Sequence, residues 1–463
     1  MLIASLFLAF FLALGVRGGL IWIAPVITPY AGMWAGVQAG ARNLVEGHGW
    51  GTLTTFPGSV ALLAGTYWAF GQYNDIYLRV IQAVIDSFGC LLMFLIGREL
   101  FSKRVGLIAA FLYALYLPIA FLSTWPLHDA LMPFITLVSL YFFIKAVRVQ
   151  AIRFYILSGF FAGVGCYFQP STQFLPVMYG MGLFIYGLRK SDFRKHILNV
   201  AKVTAIMMAV LVLVTSPWVV RNYNIIGVAN MRPPGSWQGI WEGFGEFKNP
   251  VGAVLSDEHA DKLAKQALGD NVQLGSAETN AYFRGKVLST IREYPSWWIS
   301  VLVRRIPRAI FNFSELGIYN LPLIKADYTA WLGYLYGAGP TGYLIAMEKM
   351  FRGMGDGTFW AMFTTHPYGA FYLVLVWFFA IVPPLLSIIA FWVARRNWRL
   401  LVLVATVPVY FAAIHIAIMV ASYKSIVPAS LGYIIFSAIA LDYIYRRIRG
   451  ADSRTDELAT PPN

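Results

Sequence analysis

The sequence predicts an all-α polytopic membrane protein of about ten transmembrane helices, with interfacial helices in the first outer loop and a larger mixed outer segment. Three observations carry that expectation. Apolar runs recur that exceed the ~18 residues needed to cross a bilayer core. Only 13% of the 463 residues are charged and 58% are hydrophobic, where a soluble domain carries about 25% charged residues. The basic residues behind the net charge of +14 sit in short clusters between the apolar runs. That is the positive-inside pattern of a membrane protein, and it argues against nucleic acid as a partner.

Taken in order, the spans read as about 2–26, 77–98, 105–125, 130–147, 154–170, 173–188, 199–220, 369–394, 400–420 and 427–445. The chain starts Met-Leu-Ile with no basic n-region, so the first run reads as an uncleaved span and not a signal peptide. The links Arg98–Arg104, Lys145–Arg153, Arg189–Lys202, Arg395–Arg399 and Arg446–Arg449 are basic, which puts every second link and both termini on the cytoplasmic side. The outward links are then Ile27–Asp75, Ser123–Asp129, the turn at Gln169-Pro170, Arg221–His366 and Ala421–Ser425. The domain reading follows: an N-terminal transmembrane module, 1–220, holding the first outer loop, 27–75; an outer-face segment, 221–368; C-terminal helices, 369–447; and a cytoplasmic tail, 448–463. The expected setting is a bacterial inner or plasma membrane, with the working side outward. Cys90 and Cys166 both fall inside spans and read as small core residues. No internal repeat is visible.

The first outer loop is rich in Trp, Tyr and Phe. Val37–Leu44 suits a short helix in the interface, where aromatic rings are at home. Gly47-His48-Gly49 and Phe56-Pro57-Gly58 supply turns. In the outer-face segment, Asp257–Leu268 and Glu278–Glu293 read as amphipathic helices. Asp257 and Pro295 mark a start and a stop. Tyr294–Phe311 places Trp297, Trp298, Ile299, Leu302 and Val303 before Arg304, Arg305 and Arg308. That is either an interfacial helix touching lipid headgroups or a solvated basic face. Asn320–Phe363 shows no clear period.

Ionisable residues inside spans are costly and are either paired or functional. Asp86, with Arg17 as its possible partner, is a buried ion pair or a catalytic group. His415 reads as a hydrogen-bonded bundle residue. No His, Cys or carboxylate pair has metal-ligand spacing, so no metal residue is assigned and no cofactor is certain; a divalent metal stays open. His128-Asp129 opens the fourth span at the outer mouth. Asp129 is a catalytic acid or a favourable helix-end charge. Glu46 and Asp75 are the acids of the first loop. Arg221 ends the seventh span in SPWVVRN, and Lys424 lies in ASYKSIVP. A cation at the mouth of an outward cavity suits a phosphate headgroup, or it is a snorkelling anchor.

Ala41-Arg42-Asn43-Leu44-Val45-Glu46-Gly47-His48-Gly49, the stretch FPGSVALLAGTYWAFGQ from Phe56 to Gln72, and Arg79-Val80-Ile81-Gln82 followed by GRELFSKRVGLIAAFLYALYLP come in that order. Asp129, SPWVVRNYNIIG, Gly239–Gly243 and SYKSIVPASLGYIIF follow. In order, spacing and sidedness these resemble the C-type glycosyltransferase superfamily, specifically its protein O-mannosyltransferase and aminoarabinose-transferase-like branch, over about residues 30 to 440. The resemblance implies an inverting hexosyl or pentosyl transfer. The donor is a polyprenyl-phosphate-linked sugar, and the acceptor is a protein, lipid or glycan on the outer face. It implies Asp129 or Glu46 as base, with His128 beside Asp129. Arg221, Lys424 and Arg79 would meet the lipid phosphate, and Tyr423, Gln169 and Trp218 would line the substrate cavity. Membrane lipids complete the expected partners.

The chain also departs from that pattern. Family members carry an aspartate just before the Ala-x-x-Leu helix, thought to activate the acceptor, whereas Pro29–Gln38 contains no acid. The family's Arg-Pro is Gln169-Pro170 here, and Tyr423 and Lys424 stand in changed order. Two alternatives therefore stay open. One is a non-catalytic relative that binds or presents lipid-linked sugar. The other is a transporter with Asp86, Arg17 and His415 as a relay, against which stands the lack of repeat symmetry and of a broken-helix pair.

Overall fold

The computed structural model describes residues 2–24, 31–51, 56–188, 192–227, 229–231, 236–272, 274–311, 322–336, 349, 352–418 and 426–449. Among these residues the chain is helical, with no strand. The protein is integral to the membrane. Among the described residues, seven helices are long and apolar enough to span it, and an eighth is counted if one bent pair is a single span. Every one of the ten apolar stretches is helical, but ten crossings do not follow. Leu175–Tyr186 has only 12 residues, about 18 Å of helix against a hydrocarbon core of ~30 Å.

The N-terminal half runs α1 (Leu2–Ile23), α2 (Ala31–Val45), α3 (Pro57–Phe70), α4 (Asp75–Ser87), α5 (Gly89–Leu100), α6 (Lys103–Leu115), α7 (Leu117–Thr124), α8 (Met132–Val149), α9 (Ile152–Phe168), α10 (Leu175–Tyr186) and α11 (Phe193–Ile226). Starts follow local chemistry. Asn74 caps α4 by accepting from Ile76 N at 3.0 Å, and Ser102 caps α6 by accepting from Val105 N at 3.1 Å. Such caps satisfy backbone donors that a helix start leaves orphaned. Pro118 stands one residue into α7, and Tyr116 before it is extended. Proline is tolerated in the first turn of a helix, where its missing N–H would be unpaired anyway, so it suits the start of α7, and α6 and α7 meet there at a 53° bend. The expectation of no broken helix fails at this one place.

Helices α5 and α6 pack along each other. A Cβ on Gly97 would come within 2.7 Å of Gly106 Cα, so glycine is what lets these backbones approach, as small residues do between membrane helices. Arg17 of α1 donates from Nε to Asp86 Oδ2 of α4 at 2.7 Å, and Tyr113 OH of α6 donates to Asp86 Oδ1 at 2.6 Å. Both charged side chains are fully enclosed. This is the buried ion pair foreseen between the first two spans, extended to a third helix by Tyr113.

The outer-face segment holds α12 (Ser236–Phe244), α13 (Asp257–Leu268), α14 (Ala277–Glu293) and α15 (Pro295–Ile310). Trp241, Phe244, Phe283 and Val287 form its core, with Trp297 and Trp298 against it. Next come α16 (Pro322–Tyr336), α17 (Thr358–Thr365), α18 (Pro367–Val393), α19 (Trp398–Ala417) and α20 (Ser430–Ile448). Helices α16 and α17 fall in the stretch that showed no period in the sequence. Their organising centre is Trp331, fully buried, whose Nε1 donates to His366 O at 3.1 Å.

Arg305 corrects the sequence reading. It was grouped with residues facing lipid headgroups, yet it is wholly buried. Its Nε donates to Glu246 Oε2 at 2.8 Å, Nη2 to Gly243 O at 2.7 Å and Nη1 to Ile416 O at 2.9 Å. The guanidinium thus ties α15 to α12 and to the end of α19. The opposite face of α15 exposes Ile299, Val303, Ile306 and Ile310, an apolar helical stripe.

Candidate functional site

Asp129 lies in the turn between α7 and α8 and is completely enclosed. Gln169, the residue that ends α9, donates from Nε2 to Asp129 Oδ1 at 3.0 Å. His128 Nε2 stands 3.2 Å from Asp129 Oδ2. The His128 ring stacks on Phe56, with centroids 3.7 Å apart. Phe56 holds a left-handed backbone, φ 50°, as it enters α3, a conformation unusual for an aromatic residue. Ser59 Oγ of α3 donates to His128 O at 3.3 Å. His415 of α19 lies within electrostatic reach of Asp129, and its Nδ1 pairs with Phe411 O at 2.6 Å. Three residues chosen from the sequence, His128, Asp129 and Gln169, are therefore one polar centre. A general base must reach the proton it takes. Asp129 turns its two oxygens to Gln169 and His128 within a closed shell, so this geometry orients His128 and the first-loop turn and does not present a free carboxylate to an acceptor.

A second group stands at the end of α11 opposite its basic start. Its 34 residues rise about 51 Å, well beyond a ~30 Å core. The Arg221 guanidinium lies over the Trp218 ring at 4.4 Å, and its Nη2 donates to Gly51 O at 2.8 Å. Trp218 meets Trp50 edge to face, with centroids 5.1 Å apart. Trp50 also packs against the cluster of Trp34, Tyr67 and Leu78. The first outer loop is thereby fastened to the Arg221 end of α11.

The remaining choices separate. Arg79 is buried, and its Nε donates to Thr124 O at 2.6 Å. It anchors α4 on the end of α7, and that enclosure argues against the headgroup role given to it. Glu46 is exposed, accepts from Tyr73 OH at 3.2 Å and lies 3.6 Å from His48 Nδ1. Tyr423 and Lys424 lie outside the described residues. Among the described residues, no group of three or more His, Cys, Asp or Glu is placed to hold a metal ion.

The sequence reading passed over Asp75. Three donors from two helices meet on its carboxylate: Trp34 Nε1 at 2.6 Å and Gln38 Nε2 at 2.8 Å, both on Oδ2, and Tyr67 OH on Oδ1 at 2.7 Å. Burial, together with the hydrogen bond to Asp75, pushes the Tyr67 phenol well above its ordinary value, so it stays a neutral donor. Trp34 and Gln38 stand 41 and 37 residues away. No local spacing could have shown the meeting; the one signal was an acid at a capped helix start beside an aromatic loop.

Residues 57–220 match the family model for dolichyl-phosphate-mannose-protein mannosyltransferase. No curated protein matches the chain. Among solved structures, the oligosaccharyltransferase of Archaeoglobus fulgidus with zinc and sulfate is 15% identical, with 96% of this chain and 50% of that one covered and a TM-score of 0.48. The archaeal oligosaccharyltransferase AglB from Archaeoglobus fulgidus, with an inhibitory peptide and a dolichol-phosphate, is 12% identical, with 98% and 52% covered and a TM-score of 0.47. The chain spans about half the length of these structures. The family match fits the C-type glycosyltransferase superfamily, and residues 57–220, from α3 into the last third of α11, are the part of the chain that carries it.

Proposed function

We propose that the chain is a membrane glycosyltransferase that moves a sugar from a polyprenyl-phosphate-linked donor to an acceptor on the outer face of a bacterial inner or plasma membrane. One observation carries this reading. The segment that matches the mannosyltransferase family also supplies Asp75, the His128–Asp129–Gln169 centre and Trp218, and Arg221, whose guanidinium lies over Trp218, follows directly after it. In an inverting displacement the acceptor oxygen or nitrogen bonds to the anomeric carbon. The bond to phosphate breaks, and its electron pair leaves with the lipid phosphate. A fixed cation where that charge gathers lowers the barrier. Arg221, held on Trp218 at the end of α11, suits that place, with Lys424 as its proposed companion. Trp218 and Gln169 would border the sugar.

The test is donor consumption. The full chain in nanodiscs is given polyprenyl-phosphate-linked mannose and other hexose and pentose donors, and released polyprenyl phosphate is measured. Surface glycans with and without the gene are compared by mass spectrometry. Release of lipid phosphate and a missing glycan are expected. Binding of donor without turnover of any sugar would refute the transferase and leave the non-catalytic reading. That second reading has its own support: Pro29–Gln38 lacks an acid, and Asp129 is enclosed. The transporter reading loses its footing, because Asp86 spends both oxygens on Arg17 and Tyr113.

A further inference from the structure

Transfer of a sugar to an O–H or N–H acceptor releases a proton, and a carboxylate that takes it must be fixed, open to the acceptor and placed on the acceptor's side of the anomeric carbon, across from the leaving phosphate. Four of the described carboxylates outside the spans can be compared on those terms. Asp129 is fixed but closed in by Gln169 and His128. Glu246 is consumed by Arg305 within the outer segment. Glu46 is open, but only a long bond from Tyr73 and a distant His48 hold it. Asp75 alone of these four is both fixed and partly open.

We propose that Asp75 is the carboxylate that orients the acceptor and receives its proton, a role resting on the transferase reading above. Trp34 and Gln38 donate to Oδ2 and Tyr67 donates to Oδ1. An ionised carboxylate offers about four lone-pair sites, so Oδ1 keeps room for one more hydrogen. None of the three partners accepts that hydrogen: an indole N–H and an amide NH2 only donate, and Tyr67 keeps its proton. The same aromatic patch reaches the cation, since Trp50 packs against Trp34 and Tyr67 on one side and Trp218 under Arg221 on the other. In the step, the acceptor X–H bond breaks as X bonds to the anomeric carbon. The proton goes to Asp75 Oδ1, and the electron pair of the broken sugar–oxygen bond leaves on the lipid phosphate. Trp34 and Gln38 belong to the stretch that holds no acid of its own, so the tertiary fold brings one there from the start of α4.

A simple latch between α2, α3 and α4 would use the same three bonds, and the variants must tell the two roles apart. Asp75→Glu keeps charge and hydrogen-bonding chemistry but moves the carboxylate by a methylene. Asp75→Asn removes the charge. Tyr67→Phe removes one latch bond and leaves the carboxylate. Each is placed in nanodiscs with polyprenyl-phosphate-linked mannose, and mannose release to water, donor binding and thermal stability are read. A loss of about 10²–10⁴ in turnover is expected for Asp75→Asn and at least tenfold for Asp75→Glu. Donor binding should change less than twofold, and Tyr67→Phe, which loosens the carboxylate but keeps it, should lose less turnover than either Asp75 variant. Turnover within threefold in both Asp75 variants overturns this assignment alone. Equal losses in Tyr67→Phe and Asp75→Glu, with matching losses of stability, also overturn it and leave a latch. No turnover by the unaltered chain with mannose or any other hexose or pentose donor overturns the transferase and this role together.

Discussion

Replacing Arg305 by alanine should open the outer segment without unfolding the membrane bundle. The substitution removes the partner of Glu246, whose side chain is only 1% exposed. It also takes from Ile416 O its side-chain donor and from Gly243 O the shorter of two, the other being Glu246 N. Ile416 O sits in the last turn of α19, where carbonyls have no intrahelical partner and a cation is favourable. Breaking a buried pair by deleting one member costs about 3–5 kcal/mol, because a charge is left enclosed and unpaired. At 1.4 kcal/mol per tenfold, that raises the open population roughly 150- to 4,000-fold. Proteolysis of a transiently opened region follows that population when closing is fast. Cleavage between Lys248 and Tyr294 should therefore accelerate by two to three orders of magnitude in nanodiscs. Emission from Trp297 and Trp298, which pack on the segment's core, should shift to the red as they open. The double variant Arg305→Met with Glu246→Leu should recover most of the protection, since replacing both charges by apolar groups is often neutral. A cleavage rate within threefold of the unaltered chain in Arg305→Ala would refute the clamp.

Other outcomes follow from the same geometry. Arg221→Ala should weaken polyprenyl-phosphate binding tenfold or more, because a hydrogen bond to a charged group contributes about 1.5–3 kcal/mol; equal binding by titration removes Arg221 from the donor site. The Asp129→Asn, Glu46→Gln double variant should keep more turnover than Asp75→Asn, and a larger loss in the double variant returns the proton to the residues first chosen from the sequence. Reporter fusions at Lys248 and Asn463 should report opposite sides of the membrane, and the same side for both would invert the orientation. For Asp327, burial acts upward, but His366 and the backbone N–H groups of Gly369 and Tyr368 outweigh it and hold the carboxyl below its ordinary value. Its stabilising contribution is present above the unfolded value of about 3.9 and is lost as pH falls through the lower folded value. Trp331 emission should report α16 loosening from α18 in that acid window, and Asp327→Asn should abolish the dependence.

Sequence by itself determined what depends on period, length and charge order. Apolar runs fixed the helices, because a chain in lipid must satisfy its backbone internally. Asp257 and Pro295 marked a helix start and a stop through short-range chemistry, whereas the bend beside Pro118 was read as part of one span. Arg17 and Asp86 were legible as a pair because two charges inside spans have few alternatives to each other. Tertiary structure decided the rest. It enclosed Asp129 with Gln169 and His128, turned Arg305 away from lipid onto Glu246, and met Asp75 with donors from α2 and α3. Periodicity names the face of a helix but not the neighbour that face will touch. A side chain's chemistry is set by partners dozens of residues distant, which only packing brings within hydrogen-bond reach.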